Sequence, residues 1–257
     1  MPGAEPIRHD GGDVAVLLCP GFPSTPGSMA AWASALAEDG RTVSVPRLPG
    51  HGTTWQEMNR TRWQDWYAAV ENELLDLTAA HGRVFVGGLS MGGALALRLA
   101  VHHPDAVAGL MLVNPCVHVT DRRALPLRSL QLMTLPVLRH RVPALPGIAS
   151  DIRKQGVAES AYAHNPLHAL HSSIQLFADV KRDLPQVTAP MLLMRSAVDH
   201  VVPLSSGEYV KARVSSTDLT AVTLHDSYHV ATLDEDAPLV FARSREFVSR
   251  VSSGVPA

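Results

Sequence analysis

The sequence predicts an α/β protein with a mostly parallel central sheet flanked by helices, and three observations carry that prediction. Short apolar or β-branched runs recur along the 257 residues, with amphipathic stretches between them. One glycine-flanked serine falls between such a run and a helical pattern. Hydrophobic residues make up 46% of the chain and charged residues 18%, enough apolar side chain to fill a sizeable core.

The strand patterns, in order, are Val14-Ala-Val-Leu-Leu-Cys19, Thr42-Val-Ser-Val-Pro46, Val84-Phe-Val86, Leu110-Met-Leu-Val113, Met191-Leu-Leu-Met194 and Leu219-Thr-Ala-Val-Thr-Leu224. Residues 28–39 carry Ala, Trp and Leu at helical spacing and stop at Gly40. Residues 62–80 put Trp63, Trp66, Val70, Leu74, Leu75 and Leu77 on one broad face, so the stripe Trp63/Trp66/Tyr67 reads as core packing rather than a platform for bases. Gly93-Ala-Leu-Ala-Leu-Arg-Leu-Ala100 is helix-like, and residues 234–251 form the last helical pattern.

From 117 to about 167 the rhythm breaks. Pro126, Pro136, Pro143 and Pro146 punctuate a run rich in Leu and Arg without a clean strand, and a helical stretch is expected over 148–162. Strand and helix resume on both sides, so this segment is expected to be a cap inserted into a single domain covering 1–257. Its leucines, such as Leu125, Leu130 and Leu135, would pack the cap and line an apolar slot, while Arg122, Arg128 and Arg139 are solvated. The prolines prevent a continuous amphipathic membrane helix.

Composition removes several function classes. With Lys and Arg at 22 against Asp and Glu at 24, no basic field exists for a nucleic-acid partner. No segment approaches the ~18 apolar residues of a membrane span, and residues 1–10 lack a signal peptide's apolar core, so a cytoplasmic location is expected. Cys19 and Cys116 match no disulfide framework or zinc motif and read as free core thiols. His164, His168 and His171 have helical spacing, but Pro166 interrupts them and no carboxylate or cysteine completes a metal site.

Chemistry enters at Gly88-Leu-Ser-Met-Gly92, which follows an apolar run and opens into a helix. Small residues on both sides of Ser90 let strand and helix approach closely, while a strained turn projects the hydroxyl from the sheet. Serine is a poor nucleophile at neutral pH and needs a base, which in turn needs a group to orient it. Asp199 lies in the polar loop after the Met191 strand, and His229 in the loop after the Leu219 strand. The order Ser90, Asp199, His229 is that of an α/β-hydrolase triad. His225 is the alternative base and Asp121 the alternative acid, both with poorer loop context. An oxyanion hole requires backbone N–H donors. Met91 supplies one, and Phe22 in Cys19-Pro-Gly-Phe-Pro-Ser24 is the candidate for the other, with Gly21 expected at positive φ.

Together with Leu48-Pro-Gly-His-Gly52, Asp199-His-Val-Val-Pro203 and Ser227-Tyr-His-Val-Ala-Thr-Leu-Asp234, these segments resemble the bacterial carboxylesterases and monoacylglycerol lipases of the α/β-hydrolase fold. The resemblance implies Ser90 as nucleophile, Asp199 as acid, His229 as base, and Phe22 with Met91 as oxyanion donors. It also implies abbreviated or absent N-terminal antiparallel strands. The family's His-Gly is Pro20-Gly21 here, which puts the anchoring of that loop in doubt. His51 is expected to hydrogen-bond within its own loop, and His200 to be a loop residue rather than a second base. In the cap, the resemblance assigns Glu159, and with it Ile148, to substrate binding, the glutamate receiving glycerol hydroxyls. The implied reaction is hydrolysis of a small lipid or ester substrate through an acyl-enzyme, with no cofactor or metal and at most transient contact with a lipid surface. Monoacylglycerol is the favoured substrate. A general short-to-medium-chain carboxylesterase or thioesterase, a carbon–carbon bond hydrolase and a non-catalytic receptor on the same fold remain alternatives.

Overall fold

The computed structural model describes residues 1, 3–118, 142–146 and 150–254. Within them lie nine strands: β1 (Ile7–His9), β2 (Ala15–Cys19), β3 (Thr42–Val45), β4 (Val84–Leu89), β5 (Val107–Val113), β6 (Ala144–Pro146), β7 (His164–Pro166), β8 (Met191–Ser196) and β9 (Leu219–Leu224). The helices are α1 (Ala30–Ala37), α2 (Trp55–Met58), α3 (Trp63–His81), α4 (Met91–His102), α5 (Leu167–Asp183), α6 (Leu204–Arg213) and α7 (Ala237–Ser252). One seven-stranded sheet runs in the order β1-β3-β2-β4-β5-β8-β9. All its pairings are parallel except β1 with β3.

Every central strand is buried on both faces, which is why the sequence shows continuous apolar runs instead of alternation. The period of two still sorts the side chains. Leu17, Val86, Leu110, Leu112 and Leu193 join the core under α3, α4, α5 and α6. Val16, Leu18, Phe85, Met111 and Met194 join the core under α1 and α7. Helix α4 is buried almost all round because it packs on β4 and β5 and is itself covered by α5.

Several boundaries differ from expectation. A three-residue antiparallel strand does precede β2, so the N-terminal strands are abbreviated rather than absent. Leu75 is 46% exposed and lies off the face formed by Trp63, Trp66, Val70, Leu74 and Leu77. No helix forms over 150–162, the described part of the stretch 148–162 that was expected to be helical. That stretch is irregular and ends in β7, which pairs antiparallel with β6, so the segment expected to lack strands contains a short two-stranded sheet. The leucines and arginines from 119 to 141, Asp121 and Ile148 lie outside the described residues.

Candidate active site

The β4–α4 junction is a single residue. Ser90 has φ 56° and ψ −115°, in the left-handed region that residues with a Cβ rarely enter. Its neighbours hold it there: the Ser90 N–H donates to Val113 O at 3.0 Å, and Ser90 O accepts from Gly93 at 3.0 Å and Cys116 at 3.2 Å. Space explains the flanking glycine, because a Cβ on Gly92 would overlap the Cys19 carbonyl. The elbow is therefore wedged between the ends of β2 and β5.

Two more strand ends converge on it at the carboxyl edge of the sheet. The loop after β8 carries Asp199, and the loop after β9 carries His229. His229 Nδ1 lies 2.8 Å from Asp199 Oδ2, with side chains 9% and 2% exposed. The other carboxylate oxygen of Asp199 accepts the Val201 and Val202 N–H groups, each at 2.8 Å. Burial opposes charge on both partners. Even so, the His229 charge and hydrogen bond, with the two backbone donors, hold Asp199 below the usual carboxylate range. Burial likewise disfavours the charged imidazole, yet the Asp199 carboxylate, with Glu159 and Asp151 beyond it, raises the His229 pKa above its ordinary value.

A cavity of about 110 Å³ contains Ser90, Met91, Phe22, His229 and Glu159 in its lining, so five predicted site residues meet in one place. Met91 opens α4, whose first-turn N–H groups lack intrahelical partners and carry the positive end of the helix dipole. Gly21 does not adopt the expected positive φ. A Cβ there would make a tight approach to Leu89 O at 3.2 Å and an ordinary contact with Ser90 Cβ at 3.6 Å. In place of the family's histidine, aromatic packing holds this loop. The Phe22 ring sits 5.8 Å from Trp66 and 6.2 Å from His51. Trp66 Nε1 donates to Pro49 O, and His51 Nδ1 makes the expected bond within its loop, to Pro49 O at 3.2 Å. Burial pushes the His51 pKa down to about 4, so its ring is neutral.

Glu159 reaches the cavity from the irregular stretch before β7, where its carboxylate accepts from Ser24 of the Phe22 loop. Burial pushes the Glu159 carboxyl upward against the opposing effects of Ser24 and His229. Apolar lining comes among others from Val201 and Val202, and from Leu170 and Phe177 of α5, which the sequence did not mark. His200 is hydrogen-bonded to Asp151, Nδ1 to Oδ1 at 2.8 Å. His164 lies in β7 and His168 and His171 in α5, so the three share no helix face.

Sequence reasoning missed three further residues that shape the site. Asn114 follows β5 at φ 45°, and its amide spans β5, β8 and the histidine loop. Its Nδ2 donates to Ser196 Oγ at 2.9 Å and His229 O at 2.8 Å, while its Oδ1 accepts from Ser196 N at 2.8 Å. An asparagine at a strand end is the one available signal, since its side chain tolerates the left-handed region. Asp151 and Asp234 each accept from a backbone N–H of the histidine loop. Asp234 is 1% exposed and accepts from the Arg153, Lys154 and Tyr228 N–H groups, each at 2.8 Å.

The family model for serine aminopeptidase S33, Hydrolase_4, matches residues 12–236. The chain belongs to this family. Its sheet order and flanking helices are those of the α/β-hydrolase fold. Within the hydrolase family, a thermostable monoacylglycerol lipase from Bacillus sp. strain H-257 is 40% identical over 97% of this chain and 96% of the lipase. A carboxylesterase from Bacillus subtilis is 25% identical over 96% of this chain and 97% of the esterase. Among solved structures, one described for LipS and LipT, two metagenome-derived lipolytic enzymes, superposes with a TM-score of 0.90 at 38% identity. It covers 97% of this chain and 99% of that one.

Proposed function

We propose that this hydrolase cleaves carboxylic esters through an acyl-enzyme, with monoacylglycerols as its substrates. The observation that carries the reading is the 2.8 Å bond from Asp199 to His229, whose ring lines the same cavity as the strained Ser90. Ser90 Oγ attacks the ester carbonyl as His229 Nε2 takes its proton. Asp199 fixes the tautomer and stabilises the imidazolium. The Phe22 and Met91 N–H groups receive the oxyanion. His229 then returns the proton to the leaving alcohol, and water repeats the cycle on the acyl group. All of these groups belong to the chain itself.

Residues 117–167 are assigned as a cap on a single domain. In this arrangement Leu170, Phe177, Val201 and Val202 accept the acyl chain, and Glu159 receives the glycerol hydroxyls. The 40% identity to a monoacylglycerol lipase along nearly the whole chain supports this choice. The match to a carboxylesterase supports a broader ester range as the second reading. No described helix is long and apolar enough to cross a membrane. The buried free thiols Cys19 and Cys116 suit a reducing compartment such as the cytoplasm.

The test is a hydrolysis panel of p-nitrophenyl esters and mono-, di- and triacylglycerols, with Ser90→Ala as the control. Monoacylglycerols should be preferred over di- and triacylglycerols. Equal rates on glycerol-free esters would move the assignment to a general carboxylesterase, and turnover by Ser90→Ala would remove the mechanism.

A further inference from the structure

We propose that Asp151 is a positioning residue through which the cap holds His229 in its working place and charge state. The proposal rests on the reading of His229 as general base. Asp151 stands where the chain returns from the cap, and its carboxylate touches both loops that carry the candidate acid and base. Its Oδ2 accepts the His229 N–H at 3.2 Å and the His200 N–H at 3.0 Å. Its Oδ1 lies 2.8 Å from His200 Nδ1, and its backbone carbonyl accepts the Val230 N–H at 3.1 Å. The side chain is only 9% exposed and lines the cavity.

The backbone of His229 is thus held on two sides, its N–H by Asp151 and its carbonyl by Asn114. That leaves the imidazole little freedom to leave Asp199. The charges facing His229 are Asp199 from the loop after β8, and Asp151 and Glu159 from the cap. The groups on Asp151 are His229 and His200. Arg153, two residues on, is paired with Asp226 at 2.9 Å, and Asp234 is engaged with backbone N–H groups. Asp151 is therefore a second anion beside the imidazole, one that favours the imidazolium formed in the transition state. It sits on the cap rather than on the sheet, so a displacement of the return segment would release the His229 N–H and remove that charge together.

The experiment compares Asp151→Asn, Asp151→Ala and His229→Ala with the wild type on a soluble p-nitrophenyl ester across the acid limb of kcat/KM. Asparagine keeps an acceptor for the two N–H groups but removes the charge. For Asp151→Asn the acid limb should move down by about half a pH unit and the plateau kcat should fall several-fold, with KM nearly unchanged. A purely structural role would not move the acid limb. Asp151→Ala removes the acceptor as well and should lower the plateau kcat by about tenfold or more. If the alanine variant does not fold, the isosteric asparagine variant decides alone. A folded Asp151→Asn with the wild-type acid limb and plateau, in an enzyme that His229→Ala inactivates, would overturn the positioning role only. Activity retained by His229→Ala would overturn the base assignment and this inference with it.

Discussion

The serine elbow and residues 150–163, the return segment, both line the same cavity, yet they are held by different kinds of interaction. At the elbow, backbone bonds and close packing fix Ser90: its N–H is on Val113 O and its carbonyl on Gly93 and Cys116, with no room for a Cβ at Gly92. Residues 150–163 have no regular secondary structure. Side chains distant in sequence secure them instead: Asp151 on His229, Asp234 on Arg153 and Lys154, and the Tyr162 hydroxyl on Gly50 O at 2.5 Å. A backbone-fixed proposed nucleophile and side-chain contacts over 150–163 suit a site whose chemistry is fixed and whose leaving group must enter and depart.

The largest effect should come from the elbow. Ser90→Ala removes the nucleophile in a small substitution and should lower kcat by several orders of magnitude while the protein stays folded. A serine-reactive fluorophosphonate should label the wild type at Ser90, and labelling that persists in the variant would exclude this serine. Next comes Asp199→Asn, which leaves the pair's geometry nearly intact but favours the wrong imidazole tautomer, and a loss of about 10⁴ in kcat is expected. In the wild type, the raised His229 pKa means the base is neutral, hence active, only above an acid limb that lies higher than the ~6.5 of a free imidazole. In Asp199→Asn the residual activity should show that limb displaced to lower pH. Steady-state pH profiles measure both.

Between elbow and cap stands Asn114, and its substitution tests how far backbone strain matters there. Asn114→Ala loses three hydrogen bonds among buried groups and places an alanine at φ 45°. A destabilisation of about 2 to 4 kcal/mol is expected from denaturant unfolding. Asn114→Gly restores the conformation without the bonds, so it should recover part of that loss.

This contrast also explains what the sequence disclosed. Strands β2, β5, β8 and β9 and the elbow are legible because their causes are local: continuous apolar runs and glycines at fixed offsets from Ser90. Asp199 and His229 are legible because each follows a strand whose pattern is clear, which places both at the same sheet edge. The return segment is not legible. Its apolar spacing suggests a helix, but the long-range bonds from Asp151, Asp234 and Tyr162 outweigh propensity and draw it out along the cavity. Gly21 shows a subtler failure, since positive φ was expected there and the structure shows instead a close approach of Leu89 O to the site of a Cβ. Apolar Leu170 and Phe177 look like any core residue in a helix, and only the tertiary structure reveals that they face a cavity.

The smallest expected effect separates the cap's binding role from its structural one. Glu159 comes from the return segment, and its carboxylate is tied to Ser24 of the Phe22 loop. If it also receives glycerol hydroxyls, then Glu159→Ala should weaken hydrolysis of monolauroylglycerol by about tenfold or more, the equivalent of a hydrogen bond to a charged group at ~1.5 to 3 kcal/mol. Methyl laurate has the same acyl chain and no glycerol, so its hydrolysis should be nearly unchanged. The acyl chain itself contributes about 0.8 kcal/mol per CH₂ removed from water, identically for both substrates, so the ratio of kcat/KM values isolates the alcohol end. Ser24→Ala is the internal control, because it removes the carboxylate's anchor but not the carboxylate. A loss on monolauroylglycerol smaller than that of Glu159→Ala would mean that Ser24 orients the glutamate. Equal losses on both esters in Glu159→Ala would instead mean that the Glu159–Ser24 bond serves the oxyanion loop, and that the glycerol hydroxyls are recognised elsewhere in the cavity.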